Sequence, residues 1–140
     1  MTAPGILDSR AYVFDGDPTA PALARRRVRD VLTDWQVPPD DIDTAELVVA
    51  EIATNAIEHT KSRRIRLEVE RHPGEIQIAV RDSGPRPHTL LAARADSNAA
   101  LEEGGRGLLL VHALAARWGA DPTPGNGLRV WAAIQPGVLE

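Results

Sequence analysis

The sequence predicts an α+β fold in which helices cover one face of a mostly antiparallel sheet. Apolar residues recur at helical spacing in three segments. They occupy every second position in three segments of strand length, and a fourth short segment, made of apolar and aromatic residues, also has the character of a strand. The helical segments are Leu23–Trp35, Thr44–His59 and Leu108–Trp118, and the strand segments are Ala11–Phe14, Arg64–Glu70, Glu75–Arg81 and Leu128–Ile134. A two-layer sandwich with a mixed, mostly antiparallel sheet buries the apolar sides of both kinds of segment.

The first two segments are bounded by turn-forming residues. The short strand is followed by Asp15–Pro18, which has the composition of a turn. The first helix has Pro21 near its start, and Val37–Pro39 ends it. Its cationic run, Arg25–Arg29, is interpreted as solvated surface, with docking to a partner protein as the alternative.

The second helix and the following hairpin carry clearer local signals. Asp43 and Glu46 are three residues apart and resemble a capping box, which places the helix start at about Thr44. The next two segments alternate strictly, and His72–Gly74 lies between them, so the pair is predicted to be an antiparallel hairpin.

The third helix follows the glycine-rich stretch Gly104–Gly107. Asp121–Gly127 is rich in turn formers and separates this helix from the last alternating strand. A further strand at Trp118–Ala120 remains an alternative for the end of the helical segment.

Composition limits the classes of function. A chain of 140 residues is predicted to form one domain over residues 1–140, with its core at about 11–135. The absence of a long apolar run and of a signal-like start predicts a cytoplasmic protein without membrane contact. With no cysteine, disulfides and thiol catalysis are excluded. A formal charge of −4 and 4% aromatic residues argue against direct nucleic-acid binding.

Glu51 and Asn55 form the first candidate cluster. They are four residues apart, so a helix places them on one face. A carboxylate and an amide on that face suit a metal-bound phosphate and an attacking hydroxyl group. Taken alone, the pair is better explained as the solvated side of an amphipathic helix.

Two further clusters combine glycine with polar residues. Asp82 ends an apolar strand and Gly84 follows two residues later. The carboxylate can accept a hydrogen bond from an exocyclic amine, and the glycine lets the backbone approach a flat ring, although a plain turn explains the same residues. Gly104–Gly107 opens a helix, where backbone amides and Arg106 favour an anion. A flexible loop is the alternative there, and the Gly-Lys-Ser/Thr ending of the common phosphate loop is missing.

Together, the order and spacing of the clusters resemble the ATPase domain that gyrase, the Hsp90 chaperones, histidine kinases and MutL share. Glu51–His59 resembles its first motif, Asp82–Gly84 its second and Gly105–Leu108 its third. The residues of these motifs are most similar to those of the anti-sigma-factor serine kinases. The resemblance covers roughly Asp41–Ile134. The resemblance implies a Bergerat-type ATP-binding fold.

The resemblance also implies site roles. Asn55 binds the Mg²⁺ that bridges the ATP phosphates, and Glu51 is the general base toward a serine. Asp82 contacts the adenine amine and Gly84 admits the ring. The third motif cradles the phosphates through Gly105, Arg106, Gly107 and Leu108. Pro85 replaces a usual glycine, and Glu102 and Glu103 add negative charge near the phosphates, which puts nucleotide affinity and kinase activity in question.

The implied function is an ATP-dependent serine/threonine protein kinase. It phosphorylates an anti-anti-sigma protein, sequesters a sigma factor and forms a homodimer. The alternative is a non-catalytic ATP-binding partner-switch module. The four histidines have no metal-ligand spacing, so no histidine metal site is predicted.

Overall fold

The computed structural model describes residues 5–59, 64–83, 106–125 and 127–137. Within these ranges it contains five strands and three helices. The strands are β1 (Asp8–Asp15), β2 (Arg64–His72), β3 (Glu75–Asp82), β4 (Arg117–Thr123) and β5 (Gly127–Ile134), and the helices are α1 (Ala20–Asp34), α2 (Pro39–His59) and α3 (Arg106–Leu114). None of the helices in these ranges is long and apolar enough to cross a membrane.

The strands form one sheet in the order β1-β2-β3-β5-β4, and each neighbouring pair is antiparallel. The predicted α+β class is therefore confirmed. The β2–β3 hairpin closes at Pro73–Gly74, where Gly74 has φ +71°, a left-handed conformation that favours glycine.

Strict alternation gives the sheet two different faces. One face is apolar and packs against the helices, with α1 on α2 and α2 on β3, β5 and α3. The other, which we call the open face, carries the intervening, mostly polar residues. The helix-facing core of the sheet consists of Ile65, Leu67, Val69, Ile76, Ile78, Val80, Leu128, Val130, Ala132 and Ile134, each at most 4% exposed.

A left-handed residue separates α1 from α2. Gln36 has φ 59°, and the Val37 amide donates to the Leu32 carbonyl at 2.9 Å, which closes the end of α1 as predicted near Val37. Pro38 follows, and its carbonyl accepts the first bonds of α2, from the amides of Asp41 and Ile42.

The predicted capping box at Asp43 and Glu46 is wrong. Helix α2 begins at Pro39, a full turn before Thr44, because proline suits the first turn of a helix, where its missing N–H is not needed. Glu46 is instead 7% exposed and lies 2.5 Å from Arg29 and 3.8 Å from Arg25. Part of the cationic run on α1 thus neutralises a buried carboxylate and is not merely solvated.

The third helix is shorter than predicted. It ends at Leu114, and Trp118 lies in β4, so the alternative of a strand around Trp118–Ala120 is correct. The tertiary reason is that β5 offers a free edge. Trp118 pairs in register with Ala132, and the Trp118 indole N–H donates to His112 Nδ1 at 3.2 Å.

Glu75 ties the β2–β3 hairpin to the start of β4 on the open face. Arg117 donates to both of its oxygens at 2.6 and 2.8 Å, and Gln77 donates to one of them at 2.8 Å. Burial acts to raise the pKa of Glu75. The hydrogen bonds from Arg117 and Gln77 and the charges of Arg117 and His72 outweigh it and hold the pKa below its ordinary value.

We therefore expect Glu75→Gln to lower the free energy of unfolding at pH 7 by about 1 kcal/mol. Because the folded-state pKa is the lower one, the contribution of Glu75 is present above the unfolded-state pKa and disappears as the pH falls through the folded value. The free energy of unfolding, measured with urea, should thus change less for Glu75→Gln than for the wild type between about pH 5 and pH 3. Asp30→Asn, at an exposed position of α1, is the control and should keep the wild-type change of unfolding free energy with pH.

Candidate functional site

Helix α2 carries the first pair of candidate residues. Asn55 is only 6% exposed, whereas Glu51, one turn earlier, is partly buried and Glu58, one turn later, is exposed. The solvated-stripe interpretation therefore does not apply to Asn55. An amide buried in an otherwise apolar helix interface is costly unless it has polar partners, so its position is consistent with a specific polar role.

Asp82 lies at the end of β3 and is 2% exposed. In register it aligns with Ile65 on one side and Leu128 on the other, so its side chain is on the helix-facing side of the sheet. The Leu128 amide donates to Asp82 Oδ1 at 3.3 Å. The plain-turn interpretation does not account for a buried carboxylate held in this way.

Gly127 lets the backbone of β5 approach Asp82 closely. A Cβ atom at this position would overlap the Thr123 hydroxyl and the Asp82 carbonyl oxygen. Glycine is therefore required sterically where β4 turns into β5. Sequence reasoning missed Gly127. The available signal was a glycine at the first position of an alternating strand, which often marks a close backbone approach.

The third motif is described only in part. Gly105 lies outside the described residues, as do Gly84 and Pro85 of the second motif and Glu102 and Glu103. Arg106 and Gly107 belong to the first turn of α3, but their side chains also lie outside that description. Leu108 is 2% exposed and Val111 is fully buried, so α3 is anchored by its apolar side. Leu108 thus serves packing in the described structure, next to the predicted phosphate-binding residues.

These elements adjoin one another. Helix α2 packs against both β3 and α3, and Asp82 faces the same layer as α2. The structure therefore brings the helix of Asn55 into contact with the strand of Asp82 and with helix α3. The arrangement offers an amide group, a carboxylate that accepts hydrogen bonds and a helix N-terminus that favours anions.

The donor set fits a nucleotide with magnesium. Mg²⁺ prefers oxygen ligands and commonly takes one or two from the protein and others from phosphates and water. The amide oxygen of the buried Asn55 belongs to the class of oxygen that Mg²⁺ takes, and Asp82 offers oxygens to a hydrogen-bond donor. Glu51, one turn from the amide, is less buried than either residue.

Comparison with known proteins identifies the family. A family model described as a histidine kinase-like ATPase domain matches residues 14–133. A search of curated proteins gives no match.

The fold is shared with two solved structures. One contains the RsbU and RsbW domains of Rv1364c from Mycobacterium tuberculosis, with a TM-score of 0.69 and 16% identity over 92% of this chain and 32% of that chain. The other is the SiaB–SiaC complex from Pseudomonas aeruginosa, with a TM-score of 0.68 and 16% identity over 92% of this chain and 89% of that chain. This chain therefore spans less than half of the first of these chains. At this identity the likeness establishes the fold.

Because the family model covers most of the sequence, the protein belongs to the histidine kinase-like ATPase domain family, which implies ATP binding.

Proposed function

We propose that this protein is an ATP-dependent serine/threonine kinase that regulates transcription as an anti-sigma factor. It phosphorylates an anti-anti-sigma protein and sequesters a sigma factor, acting in the cytoplasm as a homodimer. The observation that carries the proposal is the burial of Asn55 and Asp82, two polar residues on elements that pack against each other. Both positions coincide with motifs of the ATPase domain family.

Each residue has a distinct role in the proposed reaction. Asn55 binds the Mg²⁺ that neutralises the ATP phosphates, and Asp82 accepts a hydrogen bond from the adenine amine. Gly84 admits the ring, and Gly105, Arg106, Gly107 and Leu108 form the phosphate-binding turn. Phosphoryl transfer depends mainly on positioning and charge neutralisation, so few side chains are needed.

Glu51 supplies the proton chemistry. Its carboxylate takes the proton from the serine hydroxyl of the partner. The serine oxygen bonds to the γ-phosphorus as the bond from that phosphorus to the β–γ bridging oxygen breaks, and ADP leaves. The partial exposure of Glu51 supports this role, because a protein substrate must reach the base.

The partner assignment is supported by the branch of the family that the motifs resemble. One of the two similar structures is a complex of two proteins, SiaB and SiaC, so this fold occurs in assemblies with a partner protein. A non-catalytic ATP-binding module is the second candidate. It differs in needing no base, so Glu51 is the residue that separates the two.

The proposal is tested by incubating the protein with γ-labelled ATP, Mg²⁺ and candidate anti-anti-sigma proteins. We expect label to appear on a serine or threonine of one candidate. ATP-dependent binding of a partner without transfer of label would favour the non-catalytic module and contradict the kinase.

For Asp82→Asn we expect a loss of preference for ATP over GTP of about tenfold. A carboxylate only accepts hydrogen bonds and suits the adenine amine, whereas an amide also donates and suits the guanine carbonyl. The variant keeps an acceptor for the Leu128 amide, so it should fold. Competition binding of ATP and GTP checks the expectation.

Asp121→Asn is the matched control, because the exposed Asp121 of β4 aligns with Arg129 on the open face. This variant should keep the wild-type preference. An unchanged preference in Asp82→Asn would remove Asp82 from the adenine site.

A further inference from the structure

Three arginines lie side by side on the open face, on the three central strands and near one end of each. In register, Arg66 of β2 faces Arg81 of β3, and Arg81 faces Arg129 of β5. Neighbouring strands are about 4.8 Å apart, so the three backbones are closely spaced. We call these residues the arginine row. Val13 of β1 and Asp121 of β4 stand at its two ends.

Glu68, on β2 two residues after Arg66, contacts the whole arginine row. Its carboxylate accepts hydrogen bonds from Arg129 at 3.0 Å and from Arg66 at 3.1 Å, and it lies 3.8 Å from Arg81. Burial acts to raise the pKa of Glu68, but these arginines hold the pKa below its ordinary value. One carboxylate is thus shared among three guanidinium groups.

The arginine row opposes the stability of the sheet. Like charges directly opposite each other on adjacent strands are destabilising. Local conflicts of this kind are characteristic of functional surfaces. An additional anionic group bound to the row would add to the neutralisation that Glu68 supplies.

Two side chains of the arginine row remain accessible. Arg66 is 49% and Arg81 44% exposed, and the Arg81 contact with Glu68 is longer than a hydrogen bond. Both line a shallow depression of about 420 Å³ at the end of the sheet, whose other lining residues are Val13, Arg64, Ile65, Asp82, Ser83, Thr123 and Pro124. Val13, 55% exposed, adds an apolar contact at its rim.

We propose that the arginine row is a docking surface for an acidic, carboxylate-bearing segment of a partner protein. Guanidinium groups bind carboxylates through paired hydrogen bonds, and the exposed Val13 beside them suits a protein segment better than a bare anion. The arginine row lies on the open face, whereas the Asp82 side chain is on the helix-facing side, although Asp82 also lines the depression beside the row. Docking of an acidic segment needs neither a nucleotide nor Glu51, so its failure is distinguishable from failure of the proposed kinase function. A second copy would set one arginine row against another if the same residues met across a two-fold axis, which disfavours self-association through this row.

The test measures fluorescence anisotropy of labelled octaglutamate with the whole protein at low salt, with octaglutamine as the uncharged probe. We expect binding of octaglutamate only. Arg81→Gln should weaken it about tenfold without lowering the melting temperature, because the change removes one like charge from the row. Glu68→Gln should bind octaglutamate more tightly than the wild type, since a competing carboxylate is lost, even though the fold is less stable.

Arg26→Gln is the matched control. It changes the net charge by the same amount as Arg81→Gln, at an exposed position of α1. It should keep the wild-type affinity. Equal weakening by Arg26→Gln and Arg81→Gln would show a net-charge effect and overturn the proposal. So would equal or tighter binding of oligothymidylate, which would indicate a nucleic-acid surface, or concentration-dependent self-association that Arg81→Gln abolishes.

Discussion

Glu51→Ala should retain ATP binding and lose phosphoryl transfer to the partner protein. Glu51 lies one turn before Asn55 on α2 and is more exposed than that residue, and the proposed function assigns it the role of general base. Removing a general base typically lowers the rate by about a hundred- to ten-thousand-fold. The measurement is the single-turnover rate of label transfer from γ-labelled ATP, together with calorimetric ATP affinity for the same preparation.

Glu58→Ala provides the control for this variant. Glu58 is another carboxylate of α2, nearly two turns after Glu51 and exposed. It should transfer phosphate at the wild-type rate. Wild-type transfer by Glu51→Ala would contradict the assigned mechanism, even if the protein proves to be a kinase.

Asn55→Ala should abolish Mg²⁺-dependent ATP binding, with a loss of affinity on the order of a hundredfold. The amide oxygen is the ligand assigned to the metal, and alanine offers none. Because the side chain is buried, the melting temperature must be measured alongside the affinity. Titrations with ATP in Mg²⁺ and in a chelator separate loss of the metal ligand from general loss of the pocket.

Asn55→Asp is the companion variant, since it keeps an oxygen of similar position and should retain measurable Mg²⁺-dependent affinity. The metal role is excluded if folded Asn55→Ala binds MgATP as the wild type does. It is also excluded if both variants lose ATP equally with and without Mg²⁺.

Strict alternation allowed much of the sheet to be predicted. The β2–β3 hairpin was predictable because Ile65, Leu67 and Val69 repeat every second residue and a proline–glycine turn follows. The existence of each main helix followed from its apolar period in the same way. These signals are local, so they could be recognised without knowledge of the tertiary contacts.

The element ends depended on tertiary partners. Glu46 suggested a helix cap in sequence, but it is drawn to Arg25 and Arg29 of α1, a contact that no local pattern encodes. Trp118 continued the apolar period of α3, yet pairing with β5 placed it in a strand. In both cases a long-range contact overrode a plausible local motif.

The candidate site was predictable in composition but not in geometry. Asn55 fitted a solvated stripe equally well, and only the packing of α2 on β3 and α3 shows that it is buried. The bond from the Leu128 amide to Asp82 joins residues 46 positions apart, so spacing along the chain could not reveal it. The arginine row likewise becomes visible only once the strand register is known.

Calorimetric titration of the wild-type protein with ATP in the presence of Mg²⁺ tests the central claim most directly. We predict saturable binding of one nucleotide per chain that is weakened by chelation of Mg²⁺ and lost in Asn55→Ala. Absence of binding to the folded wild-type protein, or binding that neither Asn55→Ala nor Asp82→Asn alters, would contradict the placement of the nucleotide between α2 and the end of β3.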